Sequence, residues 1–433
     1  MSSGIIPAYA YRYENLPNAV KSRSRTVQFT PINGSTFNST SSNMIKLDIR
    51  STGYLCGQES FLTFSITNNS GGTVFLDGQA SSCIQRLRLV ANGVVLSDIQ
   101  NYHILSAFLI SAQGSDDYAR VLSIVGGYAD VPSPSSTLIP VGADAAEILA
   151  NSGMNGLSAG ATKTYSIPLI SGLLNSSRFL PLGLMTGALT LEIYLEPNFG
   201  VVFNASGAFS GTQTYTVQNV SYIAKIVEIE NEASENLIKQ MLLTSGLQIK
   251  TNDFTCHVNN IPNGAASASL TIPDRSSSLK SLITLLQHSG ATYNISGIQS
   301  YKFDVTQYNY RVGSNLYPIQ PVSCSDSNLT QVFNECLKCF NSGLYSLNTH
   351  TNMSFTTFSN DTTYTKFGGF SMAYDFENYS SSENFSGLEL STLGLPVTLQ
   401  ASFTAPVALN VNTFANYDCV YTITPDGLIN KVM

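Results

Sequence analysis

Apolar and polar residues alternate with a period of two along many short stretches of the chain. In 188–196 the alternation is strongest, with Leu189, Leu191, Ile193 and Leu195 separated by Thr, Glu and Tyr. This period places every second side chain on one face and is typical of half-buried strands. Turn residues, chiefly Gly, Asn and Pro, separate such stretches at short intervals. The spacing predicts β-sandwiches or jelly rolls.

The hydrophobic pattern changes its period within 83–109, the stretch around which the first half is organised. Leucines alternate with arginines at 86–89, and Asn92-Gly93 then predicts a type I′ hairpin turn, which needs positive φ at both central residues. After the returning strand, the apolar positions follow a helical spacing. We therefore predict strand, turn, strand and short helix, with Asp98 capping the first helical turn.

The second half repeats this order of elements without obvious sequence identity. Strand patterns are found at 247–261 and 300–324, while 276–287 fits either a strand or a helix. An amphipathic helix is predicted at 327–344, after a hairpin-like unit, as in the first half. A further helix at 231–246 is the natural connector between the two halves.

A chain of 433 residues is too long for one ordinary domain. We expect an N-terminal arm at 1–30, a first β-rich unit at 31–243 and a second at 244–433. Within the first unit, Gly, Ala, Ser, Pro and Asp dominate 111–161. This poorly periodic stretch is predicted to be an ordered loop excursion. Its apolar side chains that can still pack are Val121, Leu122, Ile124 and Val125.

The first 30 residues lack strand or helix periodicity and are expected to form a draped or disordered arm. The arm carries a small basic cluster, Lys21, Arg23 and Arg25. An arm on an inner surface would bring this cluster to a polyanion. The cluster is too short to be specific for one.

Charged residues make up only 11% of the chain, whereas a typical globular domain carries about 25%. Ser, Thr, Asn and Gly fill the polar positions, so surface buried against neighbouring subunits carries little desolvation cost. The net charge of −7 argues against a dedicated nucleic-acid binder, which would show a basic field. The seven cysteines show no disulfide spacing, and neither a signal peptide nor an apolar run of 18 residues is found. We expect reduced thiols in a protein made in a cytosol.

Candidate catalytic, cofactor-binding and metal-binding residues are lacking in the sequence. Cys336 and Cys339 form a C-x-x-C pair, but neither a second pair nor a nearby histidine supplies the remaining ligands of a zinc site. Asp116-Asp117 is interpreted as a solvated loop pair rather than a cation site. The motifs G-x-S-x-G, P-loop and H-E-x-x-H are missing, so we expect no enzyme, cofactor or metal. The four histidines have no carboxylate at fixed spacing: His103, His257, His288 and His350.

Several segments together carry a resemblance to a known family. They are 76–105 (LDGQASSCIQRLRLVANGVVLSDIQNYHIL), 308–323 (YNYRVGSNLYPIQPVS), and the closing stretches 385–403 and 417–433. Their order and spacing resemble the double jelly-roll major capsid proteins of double-stranded DNA viruses, above all those of Polinton-like viruses and virophages in the PRD1–adenovirus lineage. The second segment fits the family's R-x-G…Y-P…P run with Arg311, Gly313, Tyr317, Pro318 and Pro321.

The resemblance implies an all-β fold of two consecutive eight-stranded jelly rolls with short helices in the loops, one in each β-rich unit. It also implies a structural role, in which homotrimers form capsomers of pseudo-sixfold outline that tile an icosahedral shell. The implied partners are other capsomers, penton proteins and minor capsid or cement proteins. Weak genome or inner-membrane contact is expected through Lys21, Arg23 and Arg25. The implied location is the virion capsid, after synthesis in the host cytoplasm or a virus factory.

Two other classes remain open from the residues alone. A trimeric receptor-binding fibre or adhesin is also rich in β structure, Ser, Thr and Asn, but it would show shaft repeats, which we do not find. A carbohydrate-binding or carbohydrate-active β-sandwich would present exposed aromatics, often Trp. The chain contains no Trp, and its acidic residues are sparse.

Overall fold

The computed structural model contains two lobes, each a pair of packed β-sheets. We name strands β1–β12 the N-terminal lobe and β13–β21 the C-terminal lobe. The structure describes residues 21–128, 154–197, 214–289, 297–325, 327–340, 351–359, 368–378, 385–391 and 396–432.

The N-terminal lobe pairs a six-stranded sheet with a four-stranded one. The first has the order β1-β12-β4-β10, with β2 on β12 and β9 on β4; the second has the order β3-β11-β6-β7, and β5 and β8 form a separate ribbon. The strands are β1 (Ser22–Phe29), β2 (Thr36–Asn38), β3 (Met44–Ile49), β4 (Tyr54–Asn68), β5 (Val74–Phe75), β6 (Ile84–Ala91), β7 (Val94–Gln100), β8 (Gly156–Leu157), β9 (Thr162–Ile167), β10 (Leu180–Pro181), β11 (Leu189–Leu195) and β12 (Tyr215–Ile229).

The C-terminal lobe repeats this arrangement. One sheet has the order β13-β20-β15-β18 with β21 on β20, and the other has the order β14-β19-β16-β17. Its strands are β13 (Leu247–Ile261), β14 (Ser267–Ile272), β15 (Leu279–His288), β16 (Val305–Val312), β17 (Asn315–Ser323), β18 (Met372–Asp375), β19 (Val397–Phe403), β20 (Leu409–Ile423) and β21 (Ile429–Val432). The stretch 276–287, whose pattern fitted either a strand or a helix, therefore forms strand β15.

Eight strand positions in each lobe pair in a nested order. In the C-terminal lobe the first pairs with the eighth (β13 with β20), the second with the seventh (β14 with β19), the third with the sixth (β15 with β18) and the fourth with the fifth (β16 with β17). The N-terminal lobe follows the same rule, with β1 and β2 sharing the first position and β9 and β10 the sixth. This is a long antiparallel hairpin rolled into two sheets, the jelly roll. The predicted fold class is confirmed.

Helices occupy the connections between strands. Those described are α1 (Tyr102–Gln113), α2 (Asp116–Val125), α3 (Glu232–Ser245), α4 (Leu329–Lys338) and α5 (Phe355–Phe358). Helix α3 joins the lobes and ends at Gly246, whose φ of 72° suits a residue without a Cβ. Helices α1 and α4 both follow the fifth strand of their lobe.

The central hairpin forms as predicted, although its helix cap does not. Asn92 and Gly93 have φ of 50° and 80°, the positive values of a type I′ turn. Asn101 holds the N-cap position of α1, and its side chain makes no capping hydrogen bond. Asp98 instead accepts hydrogen bonds of 2.6 and 2.5 Å from Arg86. From its position on β7, the Asp98 side chain reaches Arg86 on the neighbouring strand β6 rather than the first turn of α1.

Two further expectations are wrong in part. The arm predicted at 1–30 contains strand β1, which pairs with β12 along its full length; Val27 and Phe29 pack against the core, and 1–20 lies outside the described residues. The excursion predicted at 111–161 begins with the end of α1 and with α2, and its part 129–153 lies outside the described residues. Of its four apolar residues, Leu122 alone is buried, since Val121, Ile124 and Val125 are exposed by 54%, 71% and 39%. Because α2 packs on the lobe with one face only, the other three point outward.

Candidate assembly surfaces

A buried polar network joins the two lobes around Asp253 of β13. Ser97 of β7 donates a 3.0 Å hydrogen bond to its Oδ1, and the Gly172 amide lies 3.3 Å from the same atom. Tyr421 donates to Oδ2 at 3.2 Å, and Lys431 donates to it at 2.8 Å. Asp253 has no exposed surface. Its carboxylate therefore receives donors from both lobes.

The charges in this network support one another. Burial opposes the positive charge of Lys431, but Asp253 and the Tyr417 hydroxyl outweigh it, so the pKa of Lys431 is raised. Burial raises the pKa of Tyr417 to about 12. Lys431 therefore keeps its positive charge beside Asp253, and the Tyr417 hydroxyl stays neutral, as a buried ion pair requires.

The corner formed by β7 and α1 packs on the outer face of the sheet β13-β20-β15-β18. Asn101 donates a 2.7 Å hydrogen bond to Asn412 of β20. Phe108 of α1 lies 6.2 Å from Phe340, measured between ring centroids. A cleft of about 530 Å³ remains beside this contact, with Leu109, Gln113, Tyr118, Phe254, Lys280 and Asn416 among its lining residues. The apolar core of the N-terminal lobe continues into this interface through Ile283, Phe414 and Tyr421.

The outer face of the six-stranded N-terminal sheet carries paired hydroxyl groups. The side-chain oxygens of Thr63 and Ser166 are 3.1 Å apart, and those of Thr67 and Thr162 are 2.7 Å apart. Phe61 stands on this face and is 38% exposed. We call it the open face, and its members are Phe61, Thr63, Ser65, Thr67, Thr162, Thr164, Ser166, Ile223, Lys225 and Val227.

The two four-stranded sheets have different outer faces. In the N-terminal lobe, ion pairs cover the face: Arg86 with Asp98 at 2.5 Å and Arg88 with Glu192 at 3.3 Å. In the C-terminal lobe, Ser, Thr, Gln and Asn side chains meet across β14, β19 and β16, for example Ser269 beside Gln400. Burial of the second face costs less because fewer charges lose water.

Large apolar side chains stand exposed on several helices and on β17. Ile319 of β17 is 83% exposed and Phe355 of α5 is 69% exposed. Grouped apolar exposure of this kind marks surfaces that other molecules cover. On α3 the exposed apolar residues are Leu237, Met241 and Leu243.

The basic cluster forms ion pairs with two acidic residues, one at the end of β12 and one just after it. Lys21 lies 2.9 Å from Glu230, while Arg23 and Arg25 lie 2.7 and 3.0 Å from Glu228. The two arginines lower the pKa of Glu228, mainly through the hydrogen bond from Arg23. The cluster therefore presents less positive charge than its sequence indicates.

The C-x-x-C pair, Cys336 and Cys339, consists of two buried thiols. Burial raises the pKa of Cys336 to about 12 and that of Cys339 well above its usual range. Such thiols stay protonated, whereas metal binding requires the thiolate. No group of three His, Cys, Asp or Glu side chains that could hold a metal occurs among the described residues. All seven cysteines are free.

Two histidines lie near carboxylates that sequence spacing did not reveal. His257 lies 3.7 Å from Asp274, and His103 lies 3.9 Å from Glu196. Burial opposes ionisation of Asp274, but the nearby His257 ring and two hydrogen bonds from Ser276 outweigh it and lower its pKa. His350 lies outside the described residues, as do the side chains of Asp116 and Asp117. Neither histidine adjoins a nucleophile or a metal ligand set in the described part of the chain.

Sequence reasoning missed the Asp253–Lys431 pair and strand β1. A period-two signal for β1 was present in Val27 and Phe29, but it spans only two apolar positions. Asp253 lies on the same face of β13 as buried Ile249. From the sequence alone, a carboxylate at this position is expected to face solvent, because the pattern does not show that a second lobe packs on this face. Within the described residues, no helix is long and apolar enough to cross a membrane.

Comparisons with known proteins define the fold. No protein-family model and no curated protein matches the chain. The PBCV-1 virus capsid structure matches with a TM-score of 0.61 at 12% identity, over 97% of this chain and 99% of that one. The mavirus major capsid protein matches at 0.58 and 10% identity, over 100% and 96%. The Sputnik virophage structure matches at 0.55 and 13% identity, over 100% and 93%.

The chain therefore has the double jelly-roll fold of these virus capsid structures. The match covers the whole chain, so both lobes and their order are shared. The fold expected from the resemblance in the sequence is confirmed.

Proposed function

We propose that this chain is a major capsid protein, a structural subunit of the icosahedral shell of a double-stranded DNA virus, and not an enzyme. The observation that carries the proposal is the full-length fold match to PBCV-1 and virophage capsid structures. The low charge of the chain, with 11% charged residues, supports it, because a shell subunit buries much of its surface against copies of itself. The buried, protonated cysteines fit a purely structural role.

The functional unit in this proposal is a homotrimer with a pseudo-hexagonal outline. Two similar lobes in one chain give a trimer six similar lobes, and a closed threefold ring repeats one contact three times. Such units tile a shell through contacts between capsomers. The N-terminal lobe is proposed to end near 243 and the C-terminal lobe to begin near 244, with α3 as the joint.

The remaining expected partners belong to the same proposal. Penton proteins and minor capsid or cement proteins would join the capsomers, in a virion assembled after synthesis in the host cytoplasm or a virus factory. Contact with genome or inner membrane through Lys21, Arg23 and Arg25 is proposed to be weak, because Glu228 and Glu230 already pair with these cations. The excursion at 111–161, of which the structure describes 111–128 and 154–161, is proposed as an exterior tower or clasp.

Light scattering of the purified protein, followed by negative-stain images of the same fraction, tests the proposal. A compact trimer with a hexagonal outline, or spontaneous shells, is the expected result. An elongated trimeric rod would favour a fibre instead. A monomer that binds oligosaccharide would favour a carbohydrate-binding protein.

A further inference from the structure

The two four-stranded sheets end in four edge strands, β3 and β7 in the N-terminal lobe and β14 and β17 in the C-terminal lobe. An edge strand presents a row of backbone N–H and C=O groups that no neighbouring strand uses. Proteins protect such rows with charges, prolines, bulges, short strands or a covering segment. An edge without any of these devices is a place where another extended chain can pair.

Three of the four edges are covered or interrupted. The chain after β1 lies along β3, where the Ile32 amide donates to the Lys46 carbonyl at 2.9 Å and the Lys46 amide donates to Asn33 Oδ1 at 3.0 Å. Strand β7 packs against β13 of the other lobe. Strand β17 contains Pro318 and Pro321, which have no N–H to offer a new strand.

Strand β14, with the sequence SASLTI, lacks these devices. Its six residues include no charged residue and no proline, and its register with β19 runs without a bulge. The Phe403 amide donates to the Ala266 carbonyl at 2.9 Å, so the even-numbered residues of this stretch direct their backbone groups toward β19. Because these directions alternate along a strand, Ser267, Ser269 and Thr271 direct theirs toward the edge.

The described part of the chain leaves the edge of β14 open. No backbone group of the described residues outside β19 pairs with this strand, and the Asn259 side chain donates to the Thr271 carbonyl at 3.3 Å at one end. Ser269 is exposed, whereas Ala268 and Leu270 are partly buried against the core of the lobe. An added strand would therefore place apolar side chains beside Ala268 and Leu270 and polar ones beside Ser269.

Strand β19 indicates which sequences fit β14, because it already pairs with the other edge of the same strand. Its sequence, VTLQASF, alternates apolar residues with uncharged polar ones. Leu399 lies opposite Leu270, and Gln400 lies opposite Ser269. Neither strand carries a charged residue, so an uncharged partner loses the least on burial.

We propose that the free edge of β14 binds an extended, uncharged segment of a second, different protein, in which apolar and polar residues alternate as they do in β19. Main-chain hydrogen bonds give the affinity of such strand addition, and alternate side chains give its specificity. A copy of this chain offers no such segment among the described residues, since its strands are already paired within their own sheets. The inference goes beyond the proposed capsid role and does not depend on it.

The test uses a fluorescein-labelled peptide with the β19 sequence VTLQASF as the probe. Fluorescence anisotropy with the full-length protein is expected to show saturable binding. A labelled peptide of the same composition, with the alternation of apolar and polar residues scrambled, is expected not to bind.

Two proline variants locate the binding site of the probe. Ser269→Pro removes an edge-facing N–H and leaves the backbone groups that pair with β19 in place, so binding should weaken by at least about tenfold. Gln320→Pro, at an exposed position of the edge strand β17, is the matched control and should bind the probe as the wild type does.

Methylated probes keep the test valid if Ser269→Pro does not fold, as judged by far-UV circular dichroism. A strand added at an edge pairs through one row of its backbone groups, which belong to alternate residues. N-methylation of one set of alternate residues should therefore abolish binding to the wild type. N-methylation of the other set should leave binding intact.

Several results would overturn the inference. They are a wild type that does not bind the probe, equal binding of the scrambled peptide, equal weakening by Gln320→Pro, and equal loss for both methylated probes. A change in light-scattering mass in Ser269→Pro would show that a second copy of the chain occupies the edge, and would overturn it as well. A wild type that stays monomeric, forms no shells and binds the probe would remove the proposed function and leave this inference standing.

Discussion

Asp253 and Lys431 form the kind of ion pair that most affects stability when one partner is removed. Both side chains are almost fully buried, with exposures of 0% and 9%. Hydroxyl and amide donors from both lobes complete the carboxylate's hydrogen bonds. By contrast, the pairs of Lys21, Arg23 and Arg25 lie at the surface, where ion pairs contribute little.

Removing one member of the buried pair is expected to destabilise the fold strongly. Asp253→Asn leaves Lys431 charged and without its carboxylate, so we expect a loss of about 3–5 kcal/mol of unfolding free energy. Lys431→Met is expected to cost a similar amount. The double variant should lose less than the sum of the two. Urea unfolding followed by circular dichroism measures all three, since the chain has no Trp.

The exposed pair Glu235–Lys239 on α3 is the control for these variants. Both side chains are more than 40% exposed, and Glu235→Gln is expected to change the unfolding free energy by less than about 0.5 kcal/mol. Strict additivity of Asp253→Asn and Lys431→Met would contradict a direct interaction between the two.

Buried His103 makes stability depend on pH in the acid range. Burial lowers the pKa of His103 to about 4, from an unfolded value near 6.5. Its Nδ1 lies 3.2 Å from the Ile84 carbonyl, and Glu196 is too distant from Nε2 to hydrogen-bond. Between pH 6.5 and 4, His103 binds a proton in the unfolded chain but not in the folded chain. Stability present above pH 6.5 is therefore lost as pH falls toward 4, by up to about 3 kcal/mol.

The measurement compares wild type with His103→Gln in urea unfolding at a series of pH values. The variant lacks this titration, so the difference in unfolding free energy between the two proteins should change between pH 6.5 and 4. It should be constant above pH 7. A difference that is flat across the whole range would contradict the burial argument.

At the scale of elements, the β6–β7 hairpin depends on the left-handed conformation of its turn. Gly93 has φ of 80° and no neighbour within 4 Å of an added Cβ, so backbone conformation alone opposes a side chain there. Gly93→Ala is expected to lose about 1–2 kcal/mol of unfolding free energy. Gly71→Ala is the matched control, because Gly71 has equally open surroundings and no positive φ. Equal losses in the two variants would count against the turn assignment.

The ends of 129–153 are held close together, which makes this stretch replaceable. Asn155 donates hydrogen bonds to the carbonyls of Gly127 and Leu76 at 2.9 and 2.8 Å. Replacing 129–153 by about four Gly/Ser residues shortens a closed loop and should not lower the thermal midpoint. If the stretch is a clasp, shell formation should weaken while both lobes stay folded. Loss of the folded state would contradict the proposal that the stretch serves assembly rather than folding.

Much of the fold could be predicted from patterns of two kinds. Strict alternation located strands such as β11, and Asn92-Gly93 located the central hairpin. Long-range partners could not be predicted, because nothing local to Ser22–Phe29 indicates β12 as its neighbour. The hydroxyl pairs of the open face were equally hidden, because alternating Thr and Ser residues are interpreted as ordinary solvent-facing positions until the strand pairing is known.

For the whole molecule, the low charge of the chain has a measurable consequence for the proposed trimer. Ion pairs between exposed charges weaken as the Debye length falls from about 10 Å at 0.1 M salt to about 3 Å at 1 M. A trimer contact built mainly from uncharged side chains should persist across that range. Light scattering at the two salt concentrations should give the same trimer mass. Dissociation at high salt would point to the ion-paired face of Arg86 and Arg88 instead.

The nested pairing also sets the order in which the lobes become complete during synthesis. Strand β1 begins opposite Ile229, and β13 begins opposite Ile423. The first strand of each lobe therefore cannot pair along its length until the last strand of that lobe has been synthesised. Non-local pairing of this kind is slow and leaves strand edges open meanwhile. The hairpin at Asn92-Gly93 needs only its own neighbourhood and is ready first. A nascent chain therefore finishes its first lobe before the second, and each lobe closes only when its eighth strand leaves the ribosome.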